Sequence, residues 1–283
     1  MSYRRIIFST VIDNSEIFLL QGYLWARSLI ENASIDAKDI LINIIEDHSL
    51  DIAILNDLGV NIGLSKRFGD GRYCNKAGQI EGLYKYERDY YVLMDADLFI
   101  LQPLLEIFDS QKLSGKVVDI ANPQIAVLDE LFMQANFIAR PQTTKVDLER
   151  EKSTYKSNLN GGLYVVPSRH FHNIERTWKK WILWILDHPN ILDQAKKLHH
   201  TDQIAFSMAL TELNIEVNSL SREHNFPCHL LIQEDCFPKV LHYHHLLTDE
   251  GITNSNPHLK SYSGLLERTN EQISKWIQEF RLK

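Results

Sequence analysis

Through Ile100, short apolar runs alternate with stretches of helical periodicity. Arg5–Val11 (RIIFSTV) and Asp39–Ile45 (DILINII) read as buried strands, Asn61–Ser65 as a third and Tyr90–Ile100 (YYVLMDADLFI) as a fourth. Between them, Glu16–Asn32, Ser49–Leu58 (closed by Gly59) and Lys76–Arg88 carry helical patterns. A continuously apolar strand must be covered on both faces, and crossover helices supply that cover. The alternation predicts βα units on a largely parallel, Rossmann-like α/β sheet.

The rest of the chain is less regular. Lys116–Ala121, Gly162–Val166 and Lys239–His244 are strand candidates. Arg169–Asp187, stopped by Pro189, is a helix, and Asp202–Leu213 is another with Thr201 as its N-cap. Trp178, Trp181 and Trp184 recur at helical spacing, which marks a packing face before it marks a sugar platform. Glu271–Phe280 places Ile273, Trp276, Ile277 and Phe280 on one stripe, as a domain-capping helix would. Residues 140–160 are mostly polar and read as a mobile surface loop. No linker divides the sequence, so a single domain over 1–283 is expected, with a nucleotide-binding half at 1–110 and an acceptor-side half at 111–283.

Composition removes several functions. The 283 residues hold 30 Lys and Arg against 37 Asp and Glu, a net charge of −7. That balance argues against a nucleic-acid partner, which would need a basic footprint. Cys74, Cys228 and Cys236 form no Cys-x-x-Cys pair and fit a reducing compartment. The N-terminal apolar stretch is too short for a signal segment, and Trp181–Leu186 is far too short to span a bilayer. A cytoplasmic protein without a transmembrane segment is expected; peripheral membrane contact is left open.

The most informative stretch is Val92-Leu93-Met94-Asp95-Ala96-Asp97, an apolar strand running into two aspartates. On an extended strand, Asp95 and Asp97 project to the same side. Two like charges held close repel, and a divalent cation relieves that repulsion; oxygen ligands suit magnesium, manganese or calcium. The C-terminal edge of a parallel sheet is also where such folds bind ligands. A third ligand is available in Lys239–His245, where strand alternation puts His242 and His244 on one face and His245 on the other. An imidazole beside two carboxylates favours manganese over calcium.

These segments resemble a known group. YVLMDADLFI, NLNGGLYVVPS, TDQIAFSMAL and KVLHYH, together with the N-terminal IIFSTVIDNSEIFLLQGYLWARSLI, occur in the order found in glycosyltransferases of family eight, from about residue 4 to 245. The resemblance implies the GT-A fold and a metal-dependent transfer of a hexose from a UDP-sugar, with retention at the anomeric carbon. The acceptor (carbohydrate, glycolipid or protein) is not specified. It further implies that Asp95, Asp97 and His242 hold Mn2+ (or Mg2+), with His244 as the fallback, and that the Asp95-Ala96-Asp97 segment lines the donor. Val11, Asp13 and Asn14 match the loop that holds uracil and ribose. Lys76 matches the basic residue that reaches the donor. Asn160, Gly161 and Gly162 match the segment beside the donor sugar, and Asp202 and Gln203 match the pair at the reacting face.

The chain departs from the family's pattern twice. The metal histidine is usually followed by a small residue and a Lys-Pro-Trp-like tail, whereas here His244-His245-Leu246-Leu247 follows. His199 stands where some members carry an acidic residue ahead of the Asp-Gln pair, so self-glucosylation is not expected. Both departures keep a second reading in play: a non-catalytic sugar-nucleotide or glycan binder on the same fold. A phosphatase of the Asp-x-Asp type would carry its pair after the first strand, and the first βα turn lacks the Gly-x-Gly-x-x-Gly of a dehydrogenase.

Overall fold

The computed structural model describes residues 5–45, 51–108, 111–138 and 140–282. In chain order the elements are β1 (Ile6–Ile12), α1 (Glu16–Ala33), β2 (Ile40–Ile45), α2 (Ala53–Asp57) and β3 (Asn61–Ser65). They continue with α3 (Asn75–Gly78), α4 (Ile80–Leu83), β4 (Tyr90–Met94), β5 (Leu98–Ile100), β6 (Leu113–Val117) and α5 (Ile125–Gln134). Next come β7 (Thr143–Lys145), β8 (Ser153–Tyr155), β9 (Leu159–Pro167), α6 (Ser168–Asp187), α7 (Asn190–Gln194) and α8 (Thr201–Glu212). The chain closes with β10 (Val217–Ser219), β11 (Phe226–Pro227), β12 (Val240–His242), β13 (Leu247–Thr248), β14 (Gly251–Ile252) and α9 (Lys260–Arg281).

The main sheet has seven strands in the order β10-β6-β9-β4-β1-β2-β3. β1, β2 and β3 are parallel, as are β6 and β10, while β9 runs antiparallel to β6. This is the mixed, mostly parallel α/β sheet expected from the apolar runs. A smaller sheet, β11-β12-β5, pairs β12 antiparallel to β5. By contact density the chain forms two compact units, one built on Lys66–Leu93 and Ile107–Leu220, the other on Ile7–Ser65, Met94–Glu106 and Ser221 onward.

In the second of these units, β2 is buried at every position, the mark of a strand covered on both faces. Helix α1 begins where the Ser15 side chain accepts the Phe18 N–H at 3.5 Å, an N-cap, and ends at Ser34 in the left-handed region. Its Ser28 hydroxyl accepts the N–H of Ile100 at 3.1 Å and its Asn32 amide donates to the Ile100 carbonyl at 2.8 Å, so the helix is pinned to β5. Helix α9 covers the same region: Trp276 packs on Phe99 at 5.6 Å between ring centroids, and the Arg27 guanidinium lies 4.6 Å over the Trp276 ring. In the first unit, α6 and α8 enclose a core of Trp178, Tyr164 and Phe206, the last two stacked at 4.0 Å.

Several expected boundaries differ. Tyr90–Ile100 is not one strand: β4 ends at Met94, a turn takes Asp95–Asp97, and β5 joins another sheet. Alternation cannot reveal where a chain leaves one sheet for another. Lys76–Arg88 is two short helices meeting at Gln79. β6 starts at Leu113 and β9 at Leu159, both earlier than their apolar residues suggested. Residues 140–160 are not simply a surface loop, because β7 and β8 form a hairpin there and Thr154, Tyr155 and Asn158 are buried. Of Ser49–Leu58, residues 49 and 50 lie outside the described residues, and α2 occupies Ala53–Asp57. Helix α9 starts eleven positions before the expected one, with Tyr262 and Leu266 already buried. Trp178 and Trp181 are buried, as a packing face requires. Among the described residues, no helix is long and apolar enough to cross a membrane.

Two outcomes follow for stability. Trp276→Ala should lower the unfolding free energy by about 3–5 kcal/mol in urea titrations, the cost of a large aromatic cavity; a loss below about 1 kcal/mol would contradict the packing. Glu106, in the loop after β5, accepts hydrogen bonds from His224 Nε2 at 3.0 Å and from Lys239. Partial burial raises its carboxyl pKa, but those bonds outweigh it and hold the group at about 2 against an ordinary 4.5. A depressed folded-state value stabilises above the ordinary pKa and is lost as pH falls through the folded one. The stability gap between wild type and Glu106→Gln should therefore be full at pH 7 and close progressively as pH falls from about 4.5 to about 2.

Candidate active site

The Asp95-Ala96-Asp97 turn is shaped by β12. Antiparallel register sets Leu98 opposite His242. The next residue, Tyr243, is buried; its N–H donates to the Asp97 carbonyl at 3.1 Å and its hydroxyl to the Ala96 carbonyl at 3.4 Å. The turn's carbonyls are thus tied down and its carboxylates lie against the end of β12.

There His242 Nε2 lies 3.3 Å from Asp97 Oδ1 and 3.9 Å from Asp95 Oδ2. His242 is buried, and its Nδ1 is 2.9 Å from the carboxamide oxygen of the buried Asn225. That oxygen can only accept, so Nδ1 carries a proton and Nε2 is the ring atom turned to the carboxylates. The other ring edge is therefore set as a metal ligand requires.

His244 reaches the same turn by a different route from the one its position predicts. β12 ends at His242, so strand alternation no longer applies; His244 has φ of 50°, and this left-handed residue swings its ring back over His242. The rings stack at 3.8 Å and 22°, and His244 Nδ1 is 3.5 Å from Asp97 Oδ2. Burial and the neighbouring His242 push the His244 pKa down to about 3, so the ring is neutral near pH 7. The ring of His229 meets it edge-on at 4.0 Å. Asp97, His242 and His244 offer ligand atoms all within 4.8 Å of one another. A carboxylate flanked by two imidazoles, with a second carboxylate beside it, is a donor set that fits a divalent cation.

In the same unit, Val11 is the next-to-last residue of β1, and Asp13 and Asn14 form the turn into α1. The Ser15 N–H donates to the Asp13 carbonyl at 2.9 Å and the Asn14 N–H to Asp13 Oδ1 at 3.3 Å. This turn and the Asp95–Asp97 turn each lie past the C-terminal end of a strand of the main sheet, the edge where open α/β sheets bind ligands.

The other unit gathers the remaining candidates around Gly161. The β6–β9 ladder slips here: Gly115 faces Tyr164, yet Val117 faces Leu159, which leaves Asn160 to Leu163 as a bulge. Bulges re-aim side chains and backbone beside functional sites. The Lys76 ammonium donates to the Gly161 carbonyl and sits 5.4 Å from the Tyr164 ring centroid. A Cβ at Gly161 would lie 3.8 Å from Lys76 Nζ, 3.8 Å from Tyr164 Oη and 3.9 Å from Asp202 Oδ2. Three polar groups therefore converge on one face of a residue that has no side chain of its own. The Gly161 N–H donates to Gln203 Oε1 at 3.3 Å, and Gln203 Nε2 donates to Asn158 Oδ1 at 3.3 Å. Asp202 is held through its carbonyl, which accepts from Trp178 Nε1 at 2.7 Å. The Asn160 amide donates to Asp119 Oδ2 at 2.9 Å while its own oxygen accepts the Gly162 N–H at 2.9 Å. Asp119 is itself paired with Lys116, both almost fully buried.

Thr201 does not cap α8. It is the first helical residue, and its hydroxyl donates back to the Leu198 carbonyl at 2.7 Å. Sequence reasoning does not single out Asp119, Tyr164, Tyr243 or Asn225, whose partners lie far along the chain, or Lys116, which matters through Asp119.

Known structures share this arrangement of sheets and helices. Mouse xyloside xylosyltransferase 1, in its apo form, aligns with a TM-score of 0.50 at 12% identity, over 84% of this chain and 97% of that one. The galactosyltransferase LgtC, in complex with donor and acceptor sugar analogues, aligns with a TM-score of 0.52 at 11% identity, over 97% and 96%. The bifunctional glycosyltransferase WbbM aligns with a TM-score of 0.52 at 12% identity over 96% of this chain, which spans 52% of the WbbM chain. The fold is of GT-A type. No protein-family profile and no curated protein sequence matches the chain.

His242 is expected to carry a proton on Nδ1, which long-range 1H–15N spectra report directly; an Nδ1 without a proton would contradict the Asn225 contact. Asn225→Ala should cost about 1–3 kcal/mol of stability, because it strands a buried N–H.

Proposed function

We propose that the protein is a metal-dependent glycosyltransferase that moves a hexose from a UDP-sugar to a carbohydrate, glycolipid or protein acceptor, with retention, from one GT-A domain. The observation that carries this reading is the carboxylate–imidazole cluster at the end of β4 in a GT-A fold. Asp95, Asp97 and His242 would hold the divalent cation, manganese or magnesium, whose Lewis acidity stabilises charge developing on the diphosphate. The resemblance assigns Val11, Asp13 and Asn14 to uracil and ribose and Lys76 to the donor.

Residues Asn160, Gly161 and Gly162 lie along the donor sugar in this reading. The bulged backbone permits close approach there, and the bond from Asn160 to the buried Asp119 fixes that side chain before substrate arrives. Asp202 and Gln203 would stand at the reacting face. The bond from the anomeric carbon to phosphate oxygen breaks, its electron pair leaves with UDP, and the acceptor oxygen forms the new bond. For attack on the same face the departing phosphate takes the acceptor proton, so no side chain is needed as general base. Asp202 then supports the positive charge that develops at the anomeric carbon.

The test is UDP release from UDP-glucose, UDP-galactose and UDP-N-acetylglucosamine in manganese, with slow hydrolysis sufficing when no acceptor is present. Wild type should turn over one of them, and Asp97→Ala should lower that rate by about 100-fold or more. Full activity in Asp97→Ala would end the metal assignment. Metal-dependent nucleotide binding without any release would favour the binder reading.

A further inference from the structure

The geometry points to a cation site that uses both imidazoles, His242 and His244, and so prefers divalent transition ions to magnesium. The inference deepens the proposed metal site and rests on that reading for the ion's use, though not for its binding. Each oxygen of the Asp97 carboxylate faces a different ring: Oδ1 is 3.3 Å from His242 Nε2 and Oδ2 is 3.5 Å from His244 Nδ1. The three ligand atoms lie within 4.8 Å of one another, a span that ligand bonds of roughly 2.0–2.2 Å to one ion can draw together.

The backbone is shaped to bring His244 there. It sits at φ 50°, a region uncommon for a residue with a side chain, and strain of this kind gathers at ligand sites. The ring is stacked parallel on His242 and packed by His229, so its orientation is fixed. Its Nε2 is buried and has no hydrogen-bond partner among the described residues. An imidazole whose Nδ1 is held beside the Asp97 carboxylate by a fixed backbone and fixed ring packing is placed to bind a cation. His242 has its Nδ1 taken by Asn225, so Nε2, beside Asp97, is the nitrogen it can offer an ion.

Nitrogen donors decide the choice of ion. Carboxylate and water suit magnesium, calcium and manganese, whereas each added imidazole favours ions further along the transition series. A site with two carboxylates and one histidine would discriminate less than one with both rings.

Calorimetric titration of the full chain with Co2+ and with Mg2+, without nucleotide, tests this. His244→Gly is the main variant, because φ 50° suits glycine and the fold is not placed at risk; His244→Asn, which also tolerates that φ, is the second. Co2+ affinity should fall about tenfold or more in both variants, and Mg2+ affinity less than about threefold. The visible spectrum of bound Co2+ should also change, as a ligand nitrogen is lost. An unchanged Co2+ affinity, an equal fall for both ions, or no Co2+ binding by wild type would overturn the inference. Selective, His244-dependent Co2+ binding by a chain that binds no UDP-sugar would uphold it and end the transferase reading.

Discussion

Antiparallel pairing of Leu98–Ile100 with Val240–His242 joins two parts of the chain that are far apart in sequence, and the features of the carboxylate turn depend on it. The register places His242 opposite Leu98, so the residues just before Leu98 meet those just after His242. Tyr243 then ties down the carbonyls of Ala96 and Asp97 across 147 and 146 positions of chain. A one-residue slip would turn His242 away from Asp97 and remove the ring nitrogen that the Asn225 contact orients there. The surrounding packing serves the same pairing. Ser28 and Asn32 of α1 satisfy the polar groups of Ile100, and Trp276 of α9 covers Phe99.

The other unit prepares its residues by a different means. An irregularity in the β6–β9 register interrupts pairing to β6 beside Asn160 to Leu163, and polar groups hold Asn160 and Gly161 there. Asp119 takes the Asn160 amide, Gln203 takes the Gly161 N–H, and Lys76 takes the Gly161 carbonyl. Such a network is unfavourable unless its members are satisfied, and here each supports the next, from the Lys116–Asp119 pair outward. The organisation is suited to chemistry in which groups must be in place before the substrate arrives.

What the sequence revealed tracks the range of the interactions involved. β2 was legible because strands buried on both faces are apolar at nearly every position, and α1 because Ser15 and the apolar pattern after it are local signals. The break at Asp95–Asp97 was not legible: the residues on both sides are equally apolar, and only β12, far along the chain, claims Leu98–Ile100. His244 could be placed beside His242 by alternation, but the actual cause is a left-handed backbone that no pattern announced. Thr201 has the chemistry of a cap and does not act as one, since the preceding Leu198–His200 turn carries the helix one residue earlier. The 143–155 hairpin was hidden because β7 is half exposed and polar. Asn225 and Asp119 matter through partners 17 and 41 positions away, and single-residue chemistry does not reveal such pairs.

Charge at one turn links the fold to the reading of function. Asp95 and Asp97 sit together, flanked by imidazoles that are not cations at neutral pH in the case of His244. A bound divalent ion would relieve their repulsion and, in the proposed reaction, meet the diphosphate of the donor. The most direct measurement is calorimetric binding of UDP to the full chain, with Mn2+ and with chelator. The account predicts UDP binding at least about tenfold tighter with the metal, a coupling of about 1.4 kcal/mol or more. Equal affinity in metal and chelator, or no binding in either, would contradict it.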